Sequence, residues 1–154
     1  MPEKLIRDTP DWRQLLLENS RDRARVLSQT KRIAVLGIKP STVGGPAYEV
    51  PAVLQALGYG IVPVPVYYPD VETILGEPVH RQLGSIEGPV DMVILFRRPT
   101  DVPSHLDELL ALHPATVWMQ SGIRHEEVAR ALASAGIAVV QDACAKIEAL
   151  ALAP

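Results

Sequence analysis

Five short apolar runs punctuate the chain, at Arg32–Leu36, Gly60–Val64, Asp91–Phe96, Thr116–Met119 and Ile137–Val140. Each is continuous rather than alternating, the pattern of a parallel strand covered on both faces. Between them the apolar residues shift to helical spacing over Tyr48–Leu57, Ser104–Leu112 and Arg124–Ala135, with a shorter helical stretch near Val71–Leu75. Strand and helix therefore alternate. Right-handed crossovers turn that alternation into a three-layer, doubly wound, mostly parallel α/β sheet of five strands.

Ahead of the first strand, Trp12, Leu15, Leu16 and Val26 recur among charged residues, which predicts an amphipathic lead helix over Asp11–Gln29, opened by a Thr9-Pro10-Asp11 turn and packed against the domain. Residues 1–30 thus read as a helical extension and 31–154 as the α/β domain. Gly58 and Gly136 each follow a helix and precede a strand, where a left-handed cap suits glycine. Pro46 suits the opening turn of the first crossover helix. Pro51 does not suit a helix interior, so that helix is expected to start late or to kink.

The loop after the first strand draws attention next, because ligands of open parallel sheets bind beyond the carboxyl ends of the strands. Gly44, Gly45 and the peptides before Tyr48 would offer N–H groups to an anion at the helix start. The dinucleotide pattern G-x-G-x-x-G is absent: starting at Gly37 it would need glycines where Lys39 and Thr42 stand. Nor does the second strand end in a carboxylate for an adenosine ribose, since Pro65, Val66 and Tyr67 follow it. What stands in the loop is Lys39-Pro40-Ser41-Thr42, a charge and two hydroxyls on a stiffened backbone.

A formal net charge of −3 argues against nucleic acid as a partner, so any anion site must be local. Cys144 is the single cysteine, which excludes an intramolecular disulfide and points to a reducing compartment, the cytoplasm. Neither a signal-peptide core nor a membrane-length apolar run is expected. The four histidines lie on separate segments without metal-ligand spacing, so no metal is assigned.

Taken in order, IAVLG (33–37), AYEVPAVLQALGYGIVPV (47–64), ILGEPVHRQLGSI (74–86), VDMVILFRR (90–98), VWMQSGI (117–123) and VVQDAC (139–144) resemble the small stand-alone CoA-binding proteins, whose Rossmann-like domain also occurs in succinyl-CoA synthetase alpha subunits. The resemblance implies coenzyme A, or a short acyl-CoA, as ligand. It implies that Gly37, Ile38, Lys39, Pro40 and Ser41 line the diphosphate, with Ala47 and Tyr48 beside it. It places Pro65, Val66 and Tyr67 along the adenosine, and Trp118, Gln120, Ser121 and Gly122 along the pantetheine. Gly45 stands where the family commonly has arginine, and Pro65-Val66 where Asn-Pro is frequent. Lys39, Arg97 or Arg98 would then have to supply the charge for the phosphates.

Arg97 and Arg98, just after Phe96, leave the third strand at the ligand edge, where they could grip phosphate or else form an ion pair with Asp101 or Glu87. Alternation turns Trp118 and Gln120 to one side, toward a shared ligand or, for the indole, into the core. Cys144 precedes a helix but has no clear base partner and reads as a small buried hydrophobe. Glu126 and Glu127 suit the first turn of a helix. In the resembling synthetases, the phosphorylated histidine and the nucleotide-grasping parts belong to further domains. The expectation is a non-catalytic CoA-binding module, possible in a homo-oligomer or with a protein partner. The alternatives are a CoA-site subunit of a synthetase assembly and an NAD(P)-type oxidoreductase.

Overall fold

The computed structural model describes residues 11–153. Five parallel strands, β1 (Arg32–Leu36), β2 (Gly60–Val64), β3 (Met92–Leu95), β4 (Thr116–Met119) and β5 (Ala138–Val140), form one sheet in the spatial order β2-β1-β3-β4-β5. Leu36 lies opposite both Val64 and Leu95, and Leu95 opposite Met119. That register brings the carboxyl ends of four strands to a common edge.

Side-chain alternation then builds two apolar layers. Ala34, Leu36, Val93, Leu95, Val117 and Met119 face Leu109 of α3 (Leu106–Leu112) and Val128 and Leu132 of α4 (Glu126–Ser134). Ile33, Val35, Met92, Ile94, Trp118 and Val140 face the other way. They meet Val26 and Leu27 of α1 (Ser20–Gln29), Val50 and Leu54 of α2 (Pro46–Ala56), and Ala145 and Ala149 of α5 (Ala145–Leu150). Helices on both faces explain why the strands read as unbroken apolar runs, and the doubly wound α/β architecture is the one their spacing predicts. Among the described residues, no helix is long and apolar enough to cross a membrane.

The lead helix is shorter than predicted. Asp11 caps a single 3-10 turn, Trp12–Leu15, with its carboxylate accepting from the Arg13 N–H at 3.1 Å. The chain then runs extended, and Leu17 N–H donates to the Val139 carbonyl at 2.8 Å, adding a one-residue bridge to the β5 edge. The helix restarts because Asn19 caps it, its side chain accepting from Asp22 N–H at 2.9 Å. This extension packs on the domain, with Arg23 and Glu148 paired at 2.6 Å between α1 and α5. Thr9 and Pro10 lie outside the described residues.

The helix predicted near Val71–Leu75 is instead a small antiparallel hairpin, Thr73–Ile74 against Glu77–Pro78. Its two-residue turn, Leu75-Gly76, has both φ angles positive, 57° and 76°, which is the type I′ signature that splices strands rather than helices.

Pro51 neither delays nor ends α2, which runs from Pro46 to Ala56. A proline at this position lacks the N–H that would bond to the Ala47 carbonyl. That carbonyl accepts from Lys39 N–H instead, at 3.2 Å. The proline thereby leaves an acceptor with which α2 holds the preceding loop. Pro51→Ala is expected to change stability by less than about 1 kcal/mol, while the Lys39 amide, now sharing its acceptor, exchanges with solvent faster in a hydrogen-exchange measurement.

Candidate functional site

β2 lies on one side of β1 and the other three strands on the opposite side. Connections leaving β1 and β3 therefore part in opposite directions and leave a crevice between them. Two segments border it, 37–45 after β1 and 96–99 after β3.

Gly37 brings the two together. Its φ is +93°, and a Cβ built on it would lie 2.2 Å from the Phe96 carbonyl oxygen. Its own N–H donates to Val64 at 2.9 Å, while Phe96 N–H donates to Leu36 at 2.8 Å. Gly37 thus serves close backbone approach at the strand ends. Ile38, almost fully buried, joins the core on the α2 side.

The loop beyond is folded on itself. The Pro40 carbonyl accepts from Val43 N–H at 3.0 Å and Gly44 N–H at 3.2 Å. Gly45 caps α2 at φ 77°, ψ −177°, a conformation essentially restricted to glycine, and its carbonyl accepts from Tyr48 and Glu49. The amides of the loop and of the start of α2 therefore divide. Those of Gly44, Lys39 and Tyr48 are committed within the protein, while those of Gly45 and Ala47 have no partner among the described residues.

Gly45 and Ala47 border a cleft of ≈ 350 Å³, together with Lys39, Phe96, Arg97 and Arg98. A second cleft of ≈ 320 Å³, bordered by Phe96, Gln120, Ser121, Cys144 and Lys146, continues from it across the shared residues Pro46, Phe96 and Ile123. A third, of ≈ 420 Å³, lies beyond β2 among Val66, Tyr67, Pro69 and Arg81. All three are of the size that holds parts of a small ligand. Gly37, Ile38, Pro40, Ser41, Tyr48, Pro65 and Gly122 border none of them. Gly122 N–H is held by the Asp142 carboxylate at 2.7 Å.

Trp118 and Gln120 do share a face, as alternation predicts, but only one of them reaches a cleft. The Trp118 ring is wholly buried, with its indole N–H donating to the Ala143 carbonyl at 2.8 Å, so it is core. Gln120, a step nearer the edge, accepts from Ala145 N–H at 2.8 Å through Oε1. Its Nε2 has no partner among the described residues.

The two arginines differ in kind. Arg98 is largely exposed and donates from Nε to Asp101 at 2.8 Å. That hydrogen bond is the main reason the Asp101 carboxyl is held below its usual range and the Arg98 guanidinium above it. Asp101 is therefore ionised at neutral pH and competes with any phosphate for Arg98. Arg97 is mostly buried, contacts Asp101 only at 3.7 Å, and donates from Nε to His105 Nε2 at 3.1 Å.

Sequence reasoning overlooked Arg81, whose guanidinium donates to the carbonyls of Tyr67, Tyr68 and Val71 at 3.1, 3.0 and 2.6 Å. It organises the loop after β2 and floors the third cleft. A basic residue within the resembling block 74–86 was its only signal.

Comparison with known proteins bears on the family and the fold. The Bacillus subtilis (strain 168) protein YneT is 33% identical over 124 residues, spanning 79% of this chain and 87% of its own. A Thermus thermophilus structure, cell-free ID.343, superposes with a TM-score of 0.79 at 41% identity, covering 88% of this chain and 99% of that one. A structure from Pyrococcus horikoshii OT3 gives 0.78 at 25% identity, covering 87% and 92%. Residues 31–149 match the CoA binding domain, everything from β1 into α5, and the chain belongs to that family.

Proposed function

We propose that this chain binds coenzyme A, or a short acyl-CoA, along the carboxyl edge of its sheet and acts as a binding module without catalytic residues of its own. Family membership supports CoA at a general level. The observation that carries the finer reading is the cleft at the sheet's reversal point. There Gly45 and Ala47, whose amides are unpartnered among the described residues, line one cleft with Lys39 and Arg97, a set of donors with no carboxylate among the cleft's borders.

In this reading the diphosphate rests on those amides, which lie at the positive end of α2. The adenosine extends toward Val66, Tyr67 and Arg81, and pantetheine crosses Phe96 to the free amide nitrogen of Gln120 beside Ser121. Pro65-Val66-Tyr67, rather than a carboxylate, stand at the end of β2, which disfavours NAD, whose ribose hydroxyls would go unrecognised there.

Calorimetry with CoA, dephospho-CoA and NADPH tests the assignment. CoA is expected to bind most tightly, dephospho-CoA more weakly, and NADPH least; NADPH binding as tight as CoA overturns it. Lys39→Ala should weaken CoA binding about tenfold at low salt, as expected for one charge-assisted contact, and less at high salt, where ions screen that contact. An unchanged affinity at low salt removes Lys39 from the site.

A further inference from the structure

His105 is the most buried of the chain's histidines, at 9% exposure, and both its ring nitrogens are engaged. Arg97 Nε lies 3.1 Å from His105 Nε2, and Glu108 Oε2 lies 2.8 Å from His105 Nδ1. An arginine Nε–H can only donate, so Nε2 must accept. The ring is therefore neutral, with its proton on Nδ1 and donated to Glu108. Glu108 is itself fixed, since its Oε1 accepts from Leu83 N–H at 3.2 Å. The chain Leu83–Glu108–His105–Arg97 thus runs from the 3-10 turn at Leu83–Ser85, through α3 and the 3-10 segment before it, to the cleft.

Along this chain the guanidinium loses one of its donor atoms to the ring and keeps the others. Arg97 NH1 has no hydrogen-bond partner among the described residues, and NH2 has only the 3.7 Å approach to Asp101. The exposed Arg98 takes Asp101 at 2.8 Å, which relieves Arg97 of that carboxylate. A planar guanidinium anchored at Nε offers its two terminal nitrogens as a fork, the geometry that suits a phosphate.

We propose that His105 is a positioning residue for anion recognition: as a neutral acceptor braced by Glu108, it orients Arg97 so that its terminal nitrogens meet a phosphate in the cleft at the sheet's reversal point. The proposal rests on the CoA reading of that cleft. It assigns a role to a histidine that sequence reasoning counted only as one of four scattered rings.

A double-mutant cycle read by CoA calorimetry tests it. His105→Leu, which removes the acceptor but keeps a buried apolar side chain, is expected to weaken CoA binding roughly tenfold. In the Arg97→Leu background the same change is expected to have no further effect. His105→Gln, which can present an oxygen to Arg97 Nε, should recover most of the loss. Thermal denaturation of each variant confirms that folded protein is compared. Equal losses from His105→Leu with and without Arg97, or a wild-type affinity for His105→Leu, overturn the positioning role. If wild-type protein binds no CoA, it is the CoA reading that fails. In that case, loss of Arg97 side-chain order in His105→Leu, read from its Nε–H resonance, still tests the brace, and an unchanged resonance contradicts it.

Discussion

Replacing Gly37 with alanine is expected to destabilise the protein by about 4 kcal/mol, near the upper end for a single substitution. Two costs combine. Holding alanine at φ +93° costs about 1–2 kcal/mol. The remainder comes from forcing apart Gly37 and Phe96, since a Cβ 2.2 Å from a backbone oxygen cannot be relieved by turning a side chain. Because both residues are tied into neighbouring strands by the Val64 and Leu36 carbonyls, relief must spread the ends of β1 and β3. Gly58→Ala is the control: φ there is +106°, but a new Cβ meets nothing within 4 Å. It should show the conformational cost alone. Urea denaturation of the two variants separates strain from collision, and a Gly37→Ala loss no larger than that of Gly58→Ala contradicts the close-approach account.

Arg97→Leu is expected to weaken CoA binding about 30-fold, equivalent to about 2 kcal/mol for a charge-assisted phosphate contact. Arg98→Leu should weaken it by no more than about threefold, the scale of an exposed, screened charge. Adjacent residues of identical type are thus assigned very different weights. The reason is their surroundings: Arg97 is three-quarters buried and anchored to His105, whereas Arg98 is 80% exposed and already satisfied by Asp101. Calorimetry at two salt concentrations checks this, because losing a phosphate contact also flattens the salt dependence. Equal effects of the two substitutions would show that proximity to the cleft, rather than anchoring, sets the contribution.

Much of the architecture was legible because the physics that makes parallel strands also writes them plainly. Ile33 to Leu36 and Met92 to Leu95 are covered on both faces, so their apolar runs could hardly be mistaken. The hairpin at Thr73–Pro78 was not legible, since Leu at a positive-φ turn position carries no warning in composition alone. Neither was the break between Leu15 and Ser20, where an edge contact with Val139 prevailed over helical spacing. The compensation of Pro51 by the Lys39 amide depends on a contact between loop and helix that no local rule encodes.

The candidate site divides along the same line. Residues singled out because they follow a strand, such as Lys39, Arg97 and Gln120, border the clefts. Trp118 shares the face of Gln120, but one residue pair of depth places it in the core. Arg81, His105 and Glu108 escaped notice because their importance lies in what they brace, and bracing partners are distant in sequence.

The most direct measurement is a CoA titration followed by amide resonances of isotopically labelled protein. Diphosphate docking at the start of α2 predicts that the Gly45 and Ala47 N–H signals move strongly and saturate together with Arg97 Nε–H, while Gly58 and Gly136, at the far ends of their helices, stay in place. Saturable CoA binding that leaves Gly45 and Ala47 unmoved and shifts another region of the sheet would contradict the account.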